Sequence, residues 1–243
     1  MRIVTIIQAR MGSTRLPGKV MLDLGGDTVL ARVVRRLRRA ALLGEVVVAT
    51  TTQPADDIIL EECRRLSVQV FRGDENDVLD RYYRAAKWAK AEAVVRITSD
   101  CPLIDWEISD ETVRRFLDQQ PDYASNALAR TYPRGLDTEV MARQPLARAW
   151  KEAHQPYQRV HVTPYIYENP SRFRILSVRA ASDYSSHRWT LDTPEDLAFL
   201  RAVYERMGSD DGFDWRDVLA LLDRDPALMD LNRNVMQKAL HMG

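Results

Sequence analysis

Cysteine is scarce in this sequence, and long apolar runs are missing from it. Its 243 residues include two cysteines, Cys63 and Cys101, which are too few for a disulfide framework and typical of a reducing compartment. No segment approaches the roughly 20 apolar residues that a membrane-spanning helix requires, and the first apolar run, residues 2–7, is too short for a signal peptide. We therefore expect a cytoplasmic protein without a membrane partner.

A surplus of either charge is also absent, since Lys and Arg total 35 and Asp and Glu total 35. A formal net charge of zero argues against a general nucleic-acid or membrane surface, so we expect no nucleic-acid partner. Five arginines fall within residues 32–39, on a helical pattern that also has an apolar face. We interpret them as a solvated helix face.

Strand and helix patterns alternate through the first half of the chain. Short β-branched runs predict strands over residues 2–7, 46–49, 68–71 and 93–97, and 3.6-residue periodicity predicts helices between them, one of them opened by Pro54. This alternation indicates an α/β fold, with helices on both faces of a mainly parallel sheet.

The regular alternation of strand and helix patterns is lost over residues 121–188, where several prolines interrupt the sequence. We interpret this segment as an inserted lobe for a substrate or for dimerisation. A further strand is expected over residues 188–192, followed by a helix from Pro194. The length suits a single domain over residues 1–243.

The first strand runs directly into a loop rich in Gly, Arg and Lys, over residues 8–19. Glycines let backbone N–H groups approach oxygens closely, and cations neutralise the charge of a polyphosphate. The loop is not a Walker A motif, because five residues separate Gly12 from Gly18 and Val20 stands where Ser or Thr should bind magnesium. The sequence therefore predicts a nucleotide loop of another kind.

The loop contains a motif that resembles the signature of the sugar-acid cytidylyltransferases, Ala9-Arg10-x-x-Ser13-Thr14-Arg15-Leu16-Pro17-Gly18-Lys19. The resemblance implies a three-layer, Rossmann-like nucleotidyltransferase fold and CTP as a substrate. It also implies that Arg10, Arg15 and Lys19 wrap the triphosphate and act in catalysis. The same resemblance assigns nucleotide binding to the whole loop, with Gln8, Ala9, Gly12 and Ser13 beside those three cations.

Two acidic residues stand at predicted strand ends. Asp100 follows the strand of residues 93–97, where open α/β sheets bind ligands, although an Asp before Pro102 can also simply begin a turn. Asp192 precedes a helix whose start is already explained by Thr193 as N-cap and Pro194 at the first position. The resemblance implies that Asp100 and Asp192 bind Mg²⁺ and that Asp100 acts in catalysis. Thr190 replaces the first Asp of an Asp-x-Asp pair, which leaves the number of metal ions open.

Further matches extend the resemblance over nearly the whole chain and favour its spore-coat polysaccharide branch. Asp74 and Arg81 fall where the family reads the nucleotide base or packs below it, although residues 77–81 could merely begin an exposed helix. Motif-like segments near residues 132–140, 161–165 and 186–189 suggest an acceptor site formed by Arg134, Glu139, His161, His187 and Arg188. Either histidine could equally be structural. His154 and His241 are expected at the surface.

These patterns predict transfer of CMP from CTP to a small acidic sugar, with release of pyrophosphate, in polysaccharide biosynthesis. The resemblance also implies a homodimer. Three alternatives stay open at this stage. The enzyme could use another nucleoside triphosphate, or activate a sugar phosphate or a phosphonate. It could instead be a glycosyltransferase that consumes a nucleotide sugar, or the chain could be a non-catalytic nucleotide-binding scaffold.

Overall fold

The computed structural model describes residues 1–208 and 210–238, so His241 lies outside the described residues. Its strands form one seven-stranded sheet and have these bounds: β1 Ile3–Gln8, β2 Glu45–Thr51, β3 Gln69–Gly73, β4 Ala93–Thr98, β5 Tyr123–Ser125, β6 Glu139–Ala142 and β7 Ile175–Ser177.

The α-helices within the described residues have these bounds: α1 Val29–Leu37, α2 Asp57–Arg65, α3 Val78–Trp88, α4 Trp106–Gln119, α5 Arg143–Glu152, α6 Pro156–His161, α7 Pro164–Tyr167, α8 Pro194–Met207 and α9 Trp215–Arg224. Short 3₁₀ segments occupy Lys19–Met21, Pro54–Asp56 and Pro226–Leu231. None of the helices in the described part of the chain is long and apolar enough to cross a membrane.

The sheet has the strand order β3-β2-β1-β4-β6-β5-β7. The first four strands are parallel, β6 runs antiparallel to both β4 and β5, and β7 pairs with β5 in parallel. This mainly parallel mixed sheet confirms the predicted fold class. The segment 121–188 supplies β5, β6 and β7, which extend the same sheet, and its role as a lobe stays a prediction.

Both faces of the sheet are buried, which explains why its central strands are almost continuously apolar. Ile7 of β1 faces a cluster formed with α1, α2 and α4, whereas Ile6 faces a cluster formed with α3 and α5. In β1 and β4, Gln8 lies opposite Thr98 at the carboxyl ends. The two central strands thus end in a pair of polar residues at the carboxyl end of the sheet, where open α/β sheets bind ligands.

The predicted strand over residues 188–192 is wrong. This segment makes an isolated bridge between Arg134 and Arg188, and the Leu191 N–H donates to the Asp100 carbonyl at 2.8 Å. Single contacts of this kind hold the segment against the end of β4 without adding a strand to the sheet. They place Asp192 beside Asp100.

The expectation of a solvated arginine face on α1 is partly wrong. Arg32 and Arg36 are buried, whereas the neighbouring Arg35 is exposed. Arg32 pairs with Asp211 at 3.1 Å, and the Arg36 guanidinium lies 4.6 Å from the ring centre of Phe213. The segment before α9 therefore covers one side of α1.

Candidate active site

A cavity of about 680 Å³ opens where β1 and β4 end. Its wall is formed by the first loop, the turn after β4, the start of α3, the end of α6, the segments around residues 134–137 and 190–192, and the C-terminal residues 237–238. Twelve of the predicted site residues line it: Gln8, Ala9, Arg10, Gly12, Ser13, Arg15, Lys19, Arg81, Asp100, Arg134, His161 and Asp192.

The first loop is folded back on itself by local hydrogen bonds. The N–H groups of Ser13 and Gly18 both donate to the Met11 carbonyl, at 2.8 and 3.0 Å, and the Met11 N–H donates to Asp56 at 2.7 Å. Gly18 has a φ of +69°, a left-handed conformation that favours glycine. It leads directly into the 3₁₀ turn of Lys19, so the loop geometry turns the Lys19 side chain into the cavity.

The Lys19 ammonium joins the two predicted metal-binding residues. Its Nζ donates to Asp100 Oδ2 at 2.6 Å, to Asp192 Oδ1 at 2.9 Å and to the Leu191 carbonyl at 2.8 Å. Burial acts to lower the pKa of Lys19, but the charges of Asp100 and Asp192 more than offset it, so the pKa is raised. Lys19 is therefore a fixed cation between two carboxylates.

Asp192 is held by two further cations. Arg15 lies 2.9 Å from its Oδ1 and Arg188 lies 3.0 Å from its Oδ2. Arg188 also grips Asp196 through two hydrogen bonds of 2.9 Å, so it is anchored to the first turn of α8. Arg188 does not line the cavity formed by the described residues. Its side chain instead holds Asp192, which does line the cavity, in its orientation.

The donor set of Asp100 and Asp192 fits a cation that is shared with a bound phosphate. Both carboxylates contact the same Lys19 Nζ, so one cation can reach both. No cluster of three or more His, Cys, Asp or Glu residues suited to a metal occurs in the described part of the chain. Mg²⁺ usually binds through one or two carboxylates together with substrate phosphates, and two carboxylates meet that requirement.

Arg10 and Arg81 lie on the side of the cavity formed by α3. Arg10 donates to the Glu75 carbonyl at 3.4 Å, and the buried Arg81 donates to the Asp74 carbonyl at 2.6 Å. Burial lowers the pKa of Arg81, and its Nε has no hydrogen-bond partner among the described residues. Both guanidinium groups can therefore donate further hydrogen bonds, either to an anion or to a neutral oxygen or nitrogen atom.

Asp74 is placed behind this wall. Its carboxylate accepts from the N–H groups of Asn76 and Asp77, at 2.7 and 2.9 Å, and these bonds lower its pKa. It shapes the turn before α3 and fixes Arg81 through its carbonyl. Its predicted contact with a nucleotide base stays a prediction.

Arg134 reaches the cavity from a tightly constrained turn. Its N–H donates to the His187 carbonyl at 3.0 Å, and its carbonyl accepts from the Trp189 N–H at 2.7 Å. The following Gly135 has a φ of +108°, and a Cβ there would lie 2.6 Å from the Trp189 backbone, so only glycine fits. Burial and the charge of Arg130 lower the pKa of Arg134, so an anion beside it would be stabilising.

His187 and Glu139 stand apart from the cavity wall among the described residues. The His187 ring lies 5.8 Å from the Trp189 ring centre, and burial lowers its pKa. Glu139 pairs with Arg96, and it also accepts hydrogen bonds from Tyr123 and from Thr163, the latter at 2.7 Å. Direct contact of these two residues with an acceptor stays a prediction.

Several wall residues were missed by the sequence reasoning. Arg96 lines the cavity from the centre of β4, Asp137 lines it while it forms a bidentate pair with Arg130, and Gln237 and Lys238 close its rim. The signal for Arg96 was available, because a charged residue interrupts an otherwise apolar strand. Nothing local in the sequence marks the C-terminal residues.

Comparison with known proteins identifies the family. The sequence model described as Cytidylyltransferase matches residues 4–212 of this chain. The chain therefore belongs to the cytidylyltransferase family, and the resemblance predicted from the first loop is confirmed.

Individual relatives agree with this assignment. The spore coat polysaccharide biosynthesis protein SpsF of Bacillus subtilis is 34% identical over 231 residues, covering 92% of this chain and 95% of SpsF. The solved structure of a cytidylyltransferase from Leptospira borgpetersenii has a TM-score of 0.91 and 35% identity, and the match covers 98% of this chain and 100% of that one.

A more distant structure shares the fold. The CMP:2-keto-3-deoxy-manno-octonic acid synthetase, solved in complex with CTP, has a TM-score of 0.67 at 19% identity, and the match covers 85% of this chain and 100% of that one. These similarities confirm the predicted nucleotidyltransferase fold.

Proposed function

We propose that this chain transfers CMP from CTP to a small acidic sugar and releases pyrophosphate, in the biosynthesis of a polysaccharide. The observation that carries the proposal is the convergence of Arg15 and Lys19 from the first loop with Asp100 and Asp192 at one end of the sheet. CTP as donor is supported by the family and by the CTP complex of the octonic acid synthetase. The polysaccharide role is supported by the similarity to SpsF.

The first loop would bind the triphosphate. In cytidylyl transfer an acceptor oxygen attacks the α-phosphorus, the bond to the bridging oxygen breaks, and pyrophosphate leaves on the opposite side. Such a reaction needs alignment and charge neutralisation more than a covalent intermediate. Arg10, Arg15 and Lys19 supply three cations from one folded loop, so they would stabilise the charge that grows on the leaving pyrophosphate.

Asp100 and Asp192 would hold Mg²⁺. When bound, this ion neutralises phosphate charge and supports the leaving group. The Lys19 ammonium makes three hydrogen bonds, to Asp100, Asp192 and the Leu191 carbonyl, so it would exchange at least one of them for a phosphate oxygen. Arg188 would keep Asp192 in place during that exchange.

An acidic acceptor is supported by the charge of the cavity wall. Seven Lys and Arg residues line it against three Asp residues. Asp100 and Asp192 already pair with Lys19, and Asp137 pairs with Arg130 at 2.5 Å. The remaining cationic capacity therefore favours anions, and Arg134 with His161 would contact the acceptor. The same chemistry would accept a phosphonate. We also propose a homodimer, which sedimentation velocity would test.

The test is a coupled assay for pyrophosphate release. The purified protein is mixed with each of the four nucleoside triphosphates and Mg²⁺, together with a panel of nonulosonic acids, octulosonic acids and phosphonates. We expect release with CTP and one class of acid, with the CMP conjugate identified by mass spectrometry. The exposed Arg114→Gln variant serves as control, since it alters an arginine of α4 that does not line the cavity.

Other outcomes would contradict the proposal in distinct ways. Release with UTP alone would keep the transfer chemistry and reject CTP as donor. Consumption of a nucleotide sugar without pyrophosphate release would indicate a glycosyltransferase. Binding of nucleotides without any turnover across the panel would favour a non-catalytic protein.

A further inference from the structure

Arg96 places a guanidinium in the interior of a β-sheet. It lies on β4 between Val95 and Ile97, which are both buried, and its own side chain is 13% exposed. Removing a charge from water is costly unless the charge is paired and hydrogen-bonded. The exposed remainder of the side chain lines the cavity, so the position of Arg96 requires an explanation.

The Arg96 guanidinium is fixed from several sides. NH1 forms an ion pair with Glu139 of β6, NH2 donates to Gln8 Oε1 of β1 at 3.2 Å, and the ring centre of Tyr82 on α3 lies 5.7 Å away. Burial acts to lower the pKa of Arg96, but the charge and hydrogen bond of Glu139, together with Tyr82 and Tyr123, outweigh burial, so the pKa is raised. The group is a permanent cation in one orientation.

Glu139 is held equally firmly. Tyr123 and Thr163 donate to its Oε1, the latter at 2.7 Å, while its Oε2 pairs with Arg96. Both carboxylate oxygens are thus occupied by contacts within the protein. Glu139 is therefore held in place and orients the Arg96 guanidinium.

A purely structural role explains this pair poorly. Buried ion pairs add little net stability, because desolvation cancels much of the Coulomb attraction, and apolar pairs of similar size often do as well. The Nε of Arg96 is also buried without a hydrogen-bond partner among the described residues, which a pair optimised for stability would avoid. A charged pair at the wall of a cationic cavity is better explained by binding.

We propose that Arg96 binds the oxyanion of the acceptor and that Glu139 is its positioning residue. The inference rests on the proposed function and deepens it. Arg96 NH2 bonds Gln8 at the start of the first loop, but its ion pair with Glu139 connects β4 to Thr163, just beyond His161 at the end of α6. The cation would therefore serve the acid group that distinguishes acceptors. A carboxylate and a phosphonate are equivalent in this respect.

The test separates acceptor binding from nucleotide binding. CTP affinity is measured by calorimetry for the wild type, Arg96→Met, Arg96→Lys and Glu139→Gln. The CTP complex of each is then titrated with 3-deoxy-manno-octulosonate and with methylphosphonate. Loss of a charged hydrogen-bond donor should weaken probe binding to Arg96→Met about tenfold to a hundredfold, and the loss of CTP affinity should be much smaller, because the variant removes a partner of Gln8 and none of the three loop cations. Arg96→Lys, which keeps a cation, should recover part of the loss.

The acceptor identified in the pyrophosphate assay gives a second readout. We expect its KM to rise in Arg96→Met and, to a smaller extent, in Glu139→Gln, while kcat and the KM for CTP change little. The Arg32→Met variant is a matched control, because it breaks the buried pair of Arg32 and Asp211 away from the cavity. It should lower stability without changing either KM.

Folding is checked with the double variant Arg96→Met/Glu139→Gln, which leaves no unpaired charge. Its urea midpoint should lie near that of the wild type, while probe binding stays weak. The inference would be overturned if the CTP complex of the wild type bound neither probe. It would also be overturned if Arg96→Met lost affinity for CTP and kept its affinity for the probes. A wild type that binds no CTP would overturn the proposed function, and this inference with it.

Discussion

Replacing Lys19 by Met tests both the stability and the chemistry of the site. The change removes an ammonium that bonds Asp100 at 2.6 Å and Asp192 at 2.9 Å. Breaking a buried ion pair costs about 3–5 kcal/mol, since the partner charge is left without compensation. Asp192 keeps Arg15 and Arg188, whereas Asp100 loses its ion-pair partner, so the cost falls mainly on Asp100.

Partial hydration reduces that cost. The Asp100 side chain is 24% exposed, so water recovers part of the lost energy, and we expect a destabilisation of about 2 kcal/mol. For a chain of this size this corresponds to a fall of about 4–8 °C in Tm. Transfer activity should fall about a hundredfold in kcat/KM, or about 3 kcal/mol, because one cation on the leaving group is lost.

The assay is thermal unfolding with and without 10 mM Mg²⁺, beside the pyrophosphate assay. The variant leaves Asp100 without its cationic partner beside the carboxylate of Asp192, so Mg²⁺ should raise its Tm by more than it raises that of the wild type. Lys87→Met, an exposed lysine of α3, is the matched control and should change neither quantity. An unchanged Tm, or near-normal kcat/KM, would refute the reasoning from the Lys19 contacts.

Three further predictions concern single residues. Asp105→Ala should lower the free energy of unfolding, measured with urea, by about 2–3 kcal/mol. The reason is that the buried Asp105 carboxylate caps α4 and accepts a third hydrogen bond from an N–H group of α9. The same change at the exposed Asp118 should lower it by less than about 0.5 kcal/mol. Gly135→Ala should cost about 3 kcal/mol more than Gly208→Ala, because the new Cβ would lie 2.6 Å from backbone at position 135 and meet open space at position 208. Asp100→Asn should reduce Mg²⁺-dependent pyrophosphate release about a hundredfold or more, and undiminished release at low Mg²⁺ would contradict the metal assignment.

The first half of the fold could be predicted from the sequence because its signals are local. Strands such as β1 and β4 are buried on both faces, so they appear as β-branched runs, and the helices between them keep a regular apolar period. The first loop was equally recognisable, since its glycines and cations lie within twelve residues. The resemblance then predicted that Asp100 and Asp192 belong together, and the structure places both against Lys19.

Features set by distant contacts could not be predicted. Arg32 and Arg36 looked solvated because the segment that buries them, around Asp211 and Phe213, is distant along the chain, 179 residues from Arg32 in the case of Asp211. Residues 188–192 resembled a strand, but their partners are single backbone groups in two separate turns. Glu139 was selected as an acceptor ligand from its motif, whereas only the fold shows that Arg96 stands between it and the cavity.

The most direct test of the account is calorimetric titration of the four nucleoside triphosphates, with and without Mg²⁺, into the wild type and Lys19→Met. The account predicts binding that is selective for CTP, strengthened by Mg²⁺ and weakened at least tenfold in the variant. Equal affinity for all four triphosphates, or CTP binding that is unchanged in Lys19→Met, would contradict the claim that this cavity holds CTP through its first loop.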